Sequence, residues 1–306
     1  MLKSRNRGFT LVELLAALVI GLVVLSAALS FVVTTYRTAG GSEIREEVYR
    51  NARFIAMSLE RDFQVTGVGI NSTQSFGTLA TWSDSIVILR VPYEPNEAPP
   101  HTIVPPAGIN NPLNPGGTCG ARCINVQKGI GVFDLKPGDL ARLQVNDERR
   151  LILVQTVLDA GASMAVEWVN IDTILHHPAG LAGGLLLDRF NTFVQKLWTI
   201  VYWVEGGKLM RAERLKLDGS LDGAVMAYGA KSWKNSLIFL DGHEAPKADP
   251  TGADPTSTFD NVVGVRIQAQ LAADRPDPRV NSGALFTRSY QWRFAPRNLM
   301  WQRNRI

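Results

Sequence analysis

Arg7-Gly8-Phe9-Thr10-Leu11-Val12-Glu13 opens an apolar run, Phe9 to Val33, of 25 residues broken by one charge, Glu13, and a few small polar residues. Such a run is long enough to cross a bilayer as a helix, which takes about 20 apolar residues. Lys3, Arg5 and Arg7 all precede the run and no cation lies within it. That asymmetry predicts a cytoplasmic N-terminus and an exported C-terminal body. An ordinary secretory signal is cut after its apolar region, behind small residues, and loses it; here a glycine stands in front of the run. A carboxylate at bilayer depth costs roughly 2.5–3.5 kcal/mol on insertion scales, so Glu13 is a functional candidate for which a partner is expected. A plain single-span anchor with an incidental glutamate is the competing reading.

Beyond the run, Ile44, Val48, Ala52, Ile55, Leu59 and Phe63 recur every three or four residues, with Arg45, Glu46, Arg50, Asn51, Arg53 and Glu60 between them. This spacing predicts an amphipathic helix packed on a globular body. Gly40-Gly41 lies between the two halves. Each glycine weakens a helix by about 1 kcal/mol relative to Ala, which predicts a bend or local melting there. After Phe63 come short β-like runs: Ser85–Val91, Leu140–Val145, Leu151–Leu158, Met164–Ile171, Trp198–Val204, Lys208–Leu215, Leu237–Leu240, Val262–Leu271 and Leu285–Phe294. Hairpin signals stand at Gly206-Gly207 and Asp218-Gly219. One long helix followed by many strands is an α+β pattern, a helix packed on mainly antiparallel sheet. Pro92 to Gly120, rich in proline, and Asp241–Pro255 read as loop excursions.

The glycine, the hydrophobic residue after it and the glutamate five positions on resemble the type IV prepilin signature. The resemblance implies a leader (1–8) and cleavage between Gly8 and Phe9 by a membrane-embedded prepilin peptidase, which also methylates the new amine of Phe9. It further implies a filament-core or membrane helix over 9–35 and an exported body over 36–306, whose helical part is 36–63. The amine of Phe9 could then pair with Glu13 of its own or a neighbouring subunit, neutralising both and setting register. Many major pilins carry a proline in this span; here Ser30 stands at about that place and no proline precedes Pro92.

The body resembles the PilW-type minor pilins. The carrying residues are Arg53, Arg61-Asp62-Phe63 and Thr66-Gly67-Val68-Gly69, then Ser83-Asp84-Ser85-Ile86-Val87 and Pro137-Gly138-Asp139-Leu140. Val201-Tyr202-Trp203-Val204, Leu209-Met210-Arg211 and Arg297-Asn298 follow in the same order. This resemblance implies a subunit that helps initiate or prime a type IV pilus near its tip. The implied partners are other minor and major pilins and the inner-membrane assembly platform. The chain is expected as a single-pass inner-membrane protein, found on the pilus or cell surface after assembly. A J-type pseudopilin of type II secretion and a DNA-receptor or adhesive pilin are the alternatives.

No catalytic set is visible, so an enzyme is not expected, and no cofactor or metal is implied. His101, His176, His177 and His243 are scattered. Asp218-Gly219-Ser220-Leu221-Asp222-Gly223 imitates half a calcium loop, but Gly229 stands where the closing glutamate belongs, and a hairpin turn is the reading adopted. Cys119 and Cys123 are the two cysteines. Export would let them close a small disulfide loop, with two free thiols as the alternative. The formal charge of +4 includes Lys3, Arg5 and Arg7, so loss of the leader leaves +1, poor support for a nucleic-acid partner. Residues 266–306 nevertheless hold eight arginines against Asp274 and Asp277, interleaved with Tyr290, Trp292, Phe294 and Trp301. Arg293, Arg297, Arg303 and Arg305 are therefore candidate DNA or subunit contacts. The aromatics share one strand face by alternation, as core residues do, and nucleic acid is possible but not the favoured partner.

Overall fold

The computed structural model describes residues 10–82, 84–91, 100–104, 123–128, 133–145, 148–161, 163–171, 175, 192–277 and 284–299. A helix of 54 residues, α1 (Leu11–Gln64), comes first. The strands then run β1 (Leu79–Thr81), β2 (Ser85–Arg90), β3 (His101–Thr102), β4 (Cys123–Gln127), β5 (Leu140–Val145), β6 (Glu148–Asp159) and β7 (Ser163–Asn170). They continue as β8 (Phe193–Glu205), β9 (Lys208–Leu215), β10 (Leu221–Tyr228), β11 (Ala230–Phe239), β12 (Glu244–Ala245), β13 (Val262–Pro276) and β14 (Leu285–Phe294). A long apolar helix followed by antiparallel sheet is an α+β arrangement.

The chain divides into two compact units, residues 1–50 with 273–287, and residues 51–272 with 288–306. In the first unit the Asp277 carboxylate, fully buried, takes the Arg45 guanidinium at 3.4 Å, and Arg45 also lies over the Phe286 ring at 5.1 Å. Arg275 pairs with Glu43 at 3.0 Å.

In the second unit β8 is the organising strand. Its first half pairs with β5, from Gln144 against Phe193 to Leu140 against Leu197, and its second half with β2 on one side and β9 on the other. From it the sheet extends through β5, β6 and β7 to β4, all antiparallel. Ala141, Leu143, Ile152, Val154, Val166 and Val194 share a core on one face of this sheet, as period-2 alternation requires. A second sheet runs in the order β12-β11-β13-β14. Gly206 and Gly207, at φ +56° and +75°, make the two-residue hairpin between β8 and β9.

The helical stripe forms as the spacing predicts: Ile44, Val48, Ala52, Ile55, Leu59 and Phe63 are all 3% exposed or less. The expected break at Gly40-Gly41 does not occur, since α1 is continuous through both. Gly41 is buried and Ser42 Oγ donates to the Thr38 carbonyl at 2.9 Å. Propensity costs of about 1 kcal/mol per glycine are small beside the burial of the next apolar turns, worth about 1.5–3 kcal/mol per side chain. The loop excursions also need correction. His101 and Thr102, inside the proline-rich stretch, pair with Val194 and Phe193 of β8. Glu244 and Ala245, inside the second excursion, pair with β11.

Candidate processing and assembly site

Gly8 and Phe9 lie outside the described residues, which begin at Thr10. Thr10 precedes the helix and Glu13 is its third residue. The Thr10 backbone N–H donates to Glu13 Oε2 at 3.0 Å, and Thr10 Oγ1 donates to the same oxygen at 3.1 Å. In return the Glu13 backbone N–H donates to Thr10 Oγ1 at 3.3 Å. This is a capping box: it satisfies N–H groups that a helix start otherwise leaves without partners. Reading Glu13 as a lone charge leaves out this Thr-x-x-Glu signature, which was there to be seen. Among the described residues only Oε2 is engaged, which leaves Oε1 for another donor.

From Leu11 onward α1 is long and apolar enough to cross a membrane, with a window of mean hydropathy 2.7 and none of that window buried inside the chain. Its hydroxyls bond within the helix: Ser26 to the Val23 carbonyl, Thr34 to Ser30 and Thr35 to Phe31, each at 2.8 Å. Side chains that bond their own helix in this way are tolerated among lipid or packed helices.

At the other end of α1, three residues that carry the body's resemblance meet. Asp62 Oδ2 accepts from the Tyr202 hydroxyl at 2.5 Å and from Arg211 Nε at 2.8 Å. Arg211 also donates from Nε to the Tyr202 oxygen at 3.1 Å and reaches Glu213 at 2.5 Å. Asp62 and Tyr202 are buried. Burial, and then the hydrogen bond to Asp62, push the Tyr202 phenol well above the ordinary tyrosine range. Sequence reading singled out all three residues and gave no reason for them. The reason is that they join the last turn of α1 to β8 and β9. Beside them, Asn298 donates to the Gln64 and Thr66 carbonyls, covering helix-end acceptors.

The remaining candidates are dispersed. Arg293 lies 3.6 Å from Glu244, which Arg266 also holds at 2.8 Å. Arg297 is exposed in a short helical turn, and Arg303 and Arg305 lie outside the described residues. Trp292 stacks on Tyr290 at 5.6 Å and Phe294 on Phe63 at 4.9 Å, so the alternating aromatics pack inward while remaining partly exposed. Cys123 is buried at the start of β4, and Cys119 falls outside the described residues, as do His176 and His177. His101 bonds Asp134 at 2.5 Å, and His243 bonds Asp241 and Ser257 at 2.5 and 2.9 Å. Asp218 Oδ1 accepts from the Ser220 N–H at 2.9 Å and Oγ at 2.7 Å, closing the hairpin turn between β9 and β10. Among the described residues no group of three His, Cys, Asp or Glu is placed to hold a metal.

The family model for the prokaryotic N-terminal methylation motif matches residues 3–29. That segment holds the Gly8-Phe9 junction, Thr10 and Glu13. It supports a type IV pilin- or pseudopilin-like protein, made as a precursor, processed by a prepilin peptidase and assembled with other pilins from the membrane. No curated protein and no solved structure matches the chain.

Proposed function

We propose that this chain is a PilW-type minor pilin that helps initiate or prime a type IV pilus near its tip, working by subunit contact and without turnover. The carrying observation is the methylation motif over 3–29, which runs directly into a single helix with Glu13 in its first turn. Cleavage before Phe9 creates an α-amine four residues from Glu13, whose Oε1 is open while Oε2 caps the helix. The inner membrane is the proposed site before assembly.

Two variants separate capping from charge pairing. Glutamine also serves at this position of a capping box, so Glu13→Gln keeps the helix start and removes the charge, whereas Glu13→Val removes both. An unpaired amine entering an apolar filament core costs about 3–5 kcal/mol, a loss of docking of more than about a hundredfold. Each variant is expressed at native level in a deletion strain and scored for processing, co-purification with other pilins and surface pili. Both should be processed and stay in the membrane, and neither should restore pili. Restoration by Glu13→Gln alone would assign Glu13 to capping; restoration by both would remove it from assembly. A deletion strain that keeps its pili and loses protein secretion would move the chain to the J-type pseudopilins.

A further inference from the structure

The second unit holds a cavity of about 820 Å³ between the C-terminal turn of α1, β8, β9 and the Pro137-Gly138-Asp139 turn. Six cationic residues line it against three carboxylates. The carboxylates are already taken: Asp62 by Arg211 and Arg61, Asp139 by Lys196 at 2.9 Å, and Glu213 by Arg211. Arg90 and Arg214 remain without a salt bridge among the described residues, and Lys216 has only Asp218 as an electrostatic neighbour there. The Arg90 guanidinium lies over the Trp198 ring, 4.5 Å from its centroid. Trp198 is 41% exposed and Leu217 53%, so apolar surface is open in the same walls as these cations. This mixture fits an acidic polypeptide segment. A nucleic acid would bring its closely spaced phosphates against Asp139 and Glu213 in the same walls.

The same unit carries a segment of that chemistry. Residues 241–260 contain Asp241, Asp249, Asp254 and Asp260 against Lys247, besides Glu244, which Arg266 and Arg293 already hold. Its tip is held in shape, with Asp249 accepting from the Thr251 N–H at 2.9 Å and Asp254 from the Thr256 N–H at 3.0 Å. Asp254 and Asp260 are exposed. A preformed acidic tip loses little freedom on docking.

We infer that the cavity receives the 241–260 segment of a second copy of this chain. Such a contact joins two different surfaces, so it runs on from copy to copy, into a ring or an open chain according to its rotation. The inference goes beyond the pilin reading and is tested apart from processing and piliation, by sedimentation of the full-length purified chain in non-ionic detergent. Wild type should form dimers and longer species that dissociate as salt is raised. Arg214→Glu with Lys216→Glu should weaken association at least about tenfold, since reversing contact charges replaces attraction by repulsion. Asp254→Lys with Asp260→Lys should do the same, and Asp260→Lys alone carries the test if the loop unfolds by circular dichroism. Mixing the cavity variant with the loop variant should restore association, because the unaltered surface of each meets that of the other and the two reversed surfaces are again opposite in charge. A monomeric wild type at roughly 0.1 mM, weaker than specific contacts usually are, overturns the inference. So does a mixture that stays monomeric, or a short DNA duplex binding the cavity with no effect of the loop charges.

Discussion

Asp62 shows what a residue pair in the sequence can and cannot disclose. The Arg61-Asp62 pair is visible, but that Asp62 turns inward while Arg61 remains largely exposed depends on strands 140 and 149 positions away. A buried carboxylate left without its cation costs about 3–5 kcal/mol, and the part-exposed Arg211 places Arg211→Met at the lower end of that range. Tyr202→Phe removes a hydrogen bond to a charged acceptor, worth about 1.5–3 kcal/mol. Urea unfolding followed by tryptophan fluorescence should rank the variants in that order. Because the folded phenol is raised above its unfolded value near 10, its contribution is complete below about pH 10 and is lost as pH rises through the folded value. In an alkaline absorbance titration, the Tyr202→Phe protein should therefore show as many tyrosines ionising in the ordinary range as wild type. One fewer in the variant would place Tyr202 among the ordinary tyrosines and refute the burial account.

At the scale of elements, hydrophobic period carried most of what was legible. The α1 stripe, β5 and β9 fall where apolar spacing puts them, because each buries residues that the spacing marks; β14 also falls there, though its residues are only half-buried or exposed. What spacing missed was pairing decided by distant partners. β10 has four consecutive exposed residues and exists through its register with β9, from Leu221 against Leu215 to Tyr228 against Lys208. β11 was legible only at its apolar end, since Lys231, Ser232, Lys234 and Asn235 hide a strand in register with β13. At the processing end, the capping box was legible and the methylation motif was recognisable from its residues, while the Asp62 cluster required the fold. Gly229 carries a prediction of its own. It sits at φ +78° between β10 and β11, and a Cβ there would lie 2.0 Å from the Ala272 carbonyl oxygen. Its own carbonyl accepts from the Ala272 N–H at 2.8 Å, so the backbones cannot separate without losing that bond. Gly229→Ala should cost about 1–3 kcal/mol from backbone strain alone, and more from the clash. A melting temperature within error of wild type would show that the turn yields freely.

For the molecule as a whole, charge decides between a subunit contact and a nucleic-acid contact at the arginine-rich end. The formal +4 contains the leader's Lys3, Arg5 and Arg7, so a chain beginning at Phe9 carries +1. Intact mass should show loss of residues 1–8 with one added methyl group; a cut after Ala28 would sink the prepilin reading. Within the C-terminal segment, Arg266 and Arg293 converge on Glu244, and Arg275 is held by Glu43. Three of the eight arginines thus already face a carboxylate, and a phosphate would have to displace it. Each phosphate neutralised contributes about −0.9 to the slope of log affinity against log salt, so eight free arginines acting together would give roughly −7. For the processed chain we expect duplex binding with a slope no steeper than about −4.5, because at most five of these eight cations act on phosphates together. Arg303→Gln with Arg305→Gln should accordingly leave DNA uptake nearly unchanged at normal piliation. A slope near −7 that collapses in this variant, with uptake lost while pili persist, would make the arginine-rich end a DNA receptor and remove the ground for reading it as a subunit contact.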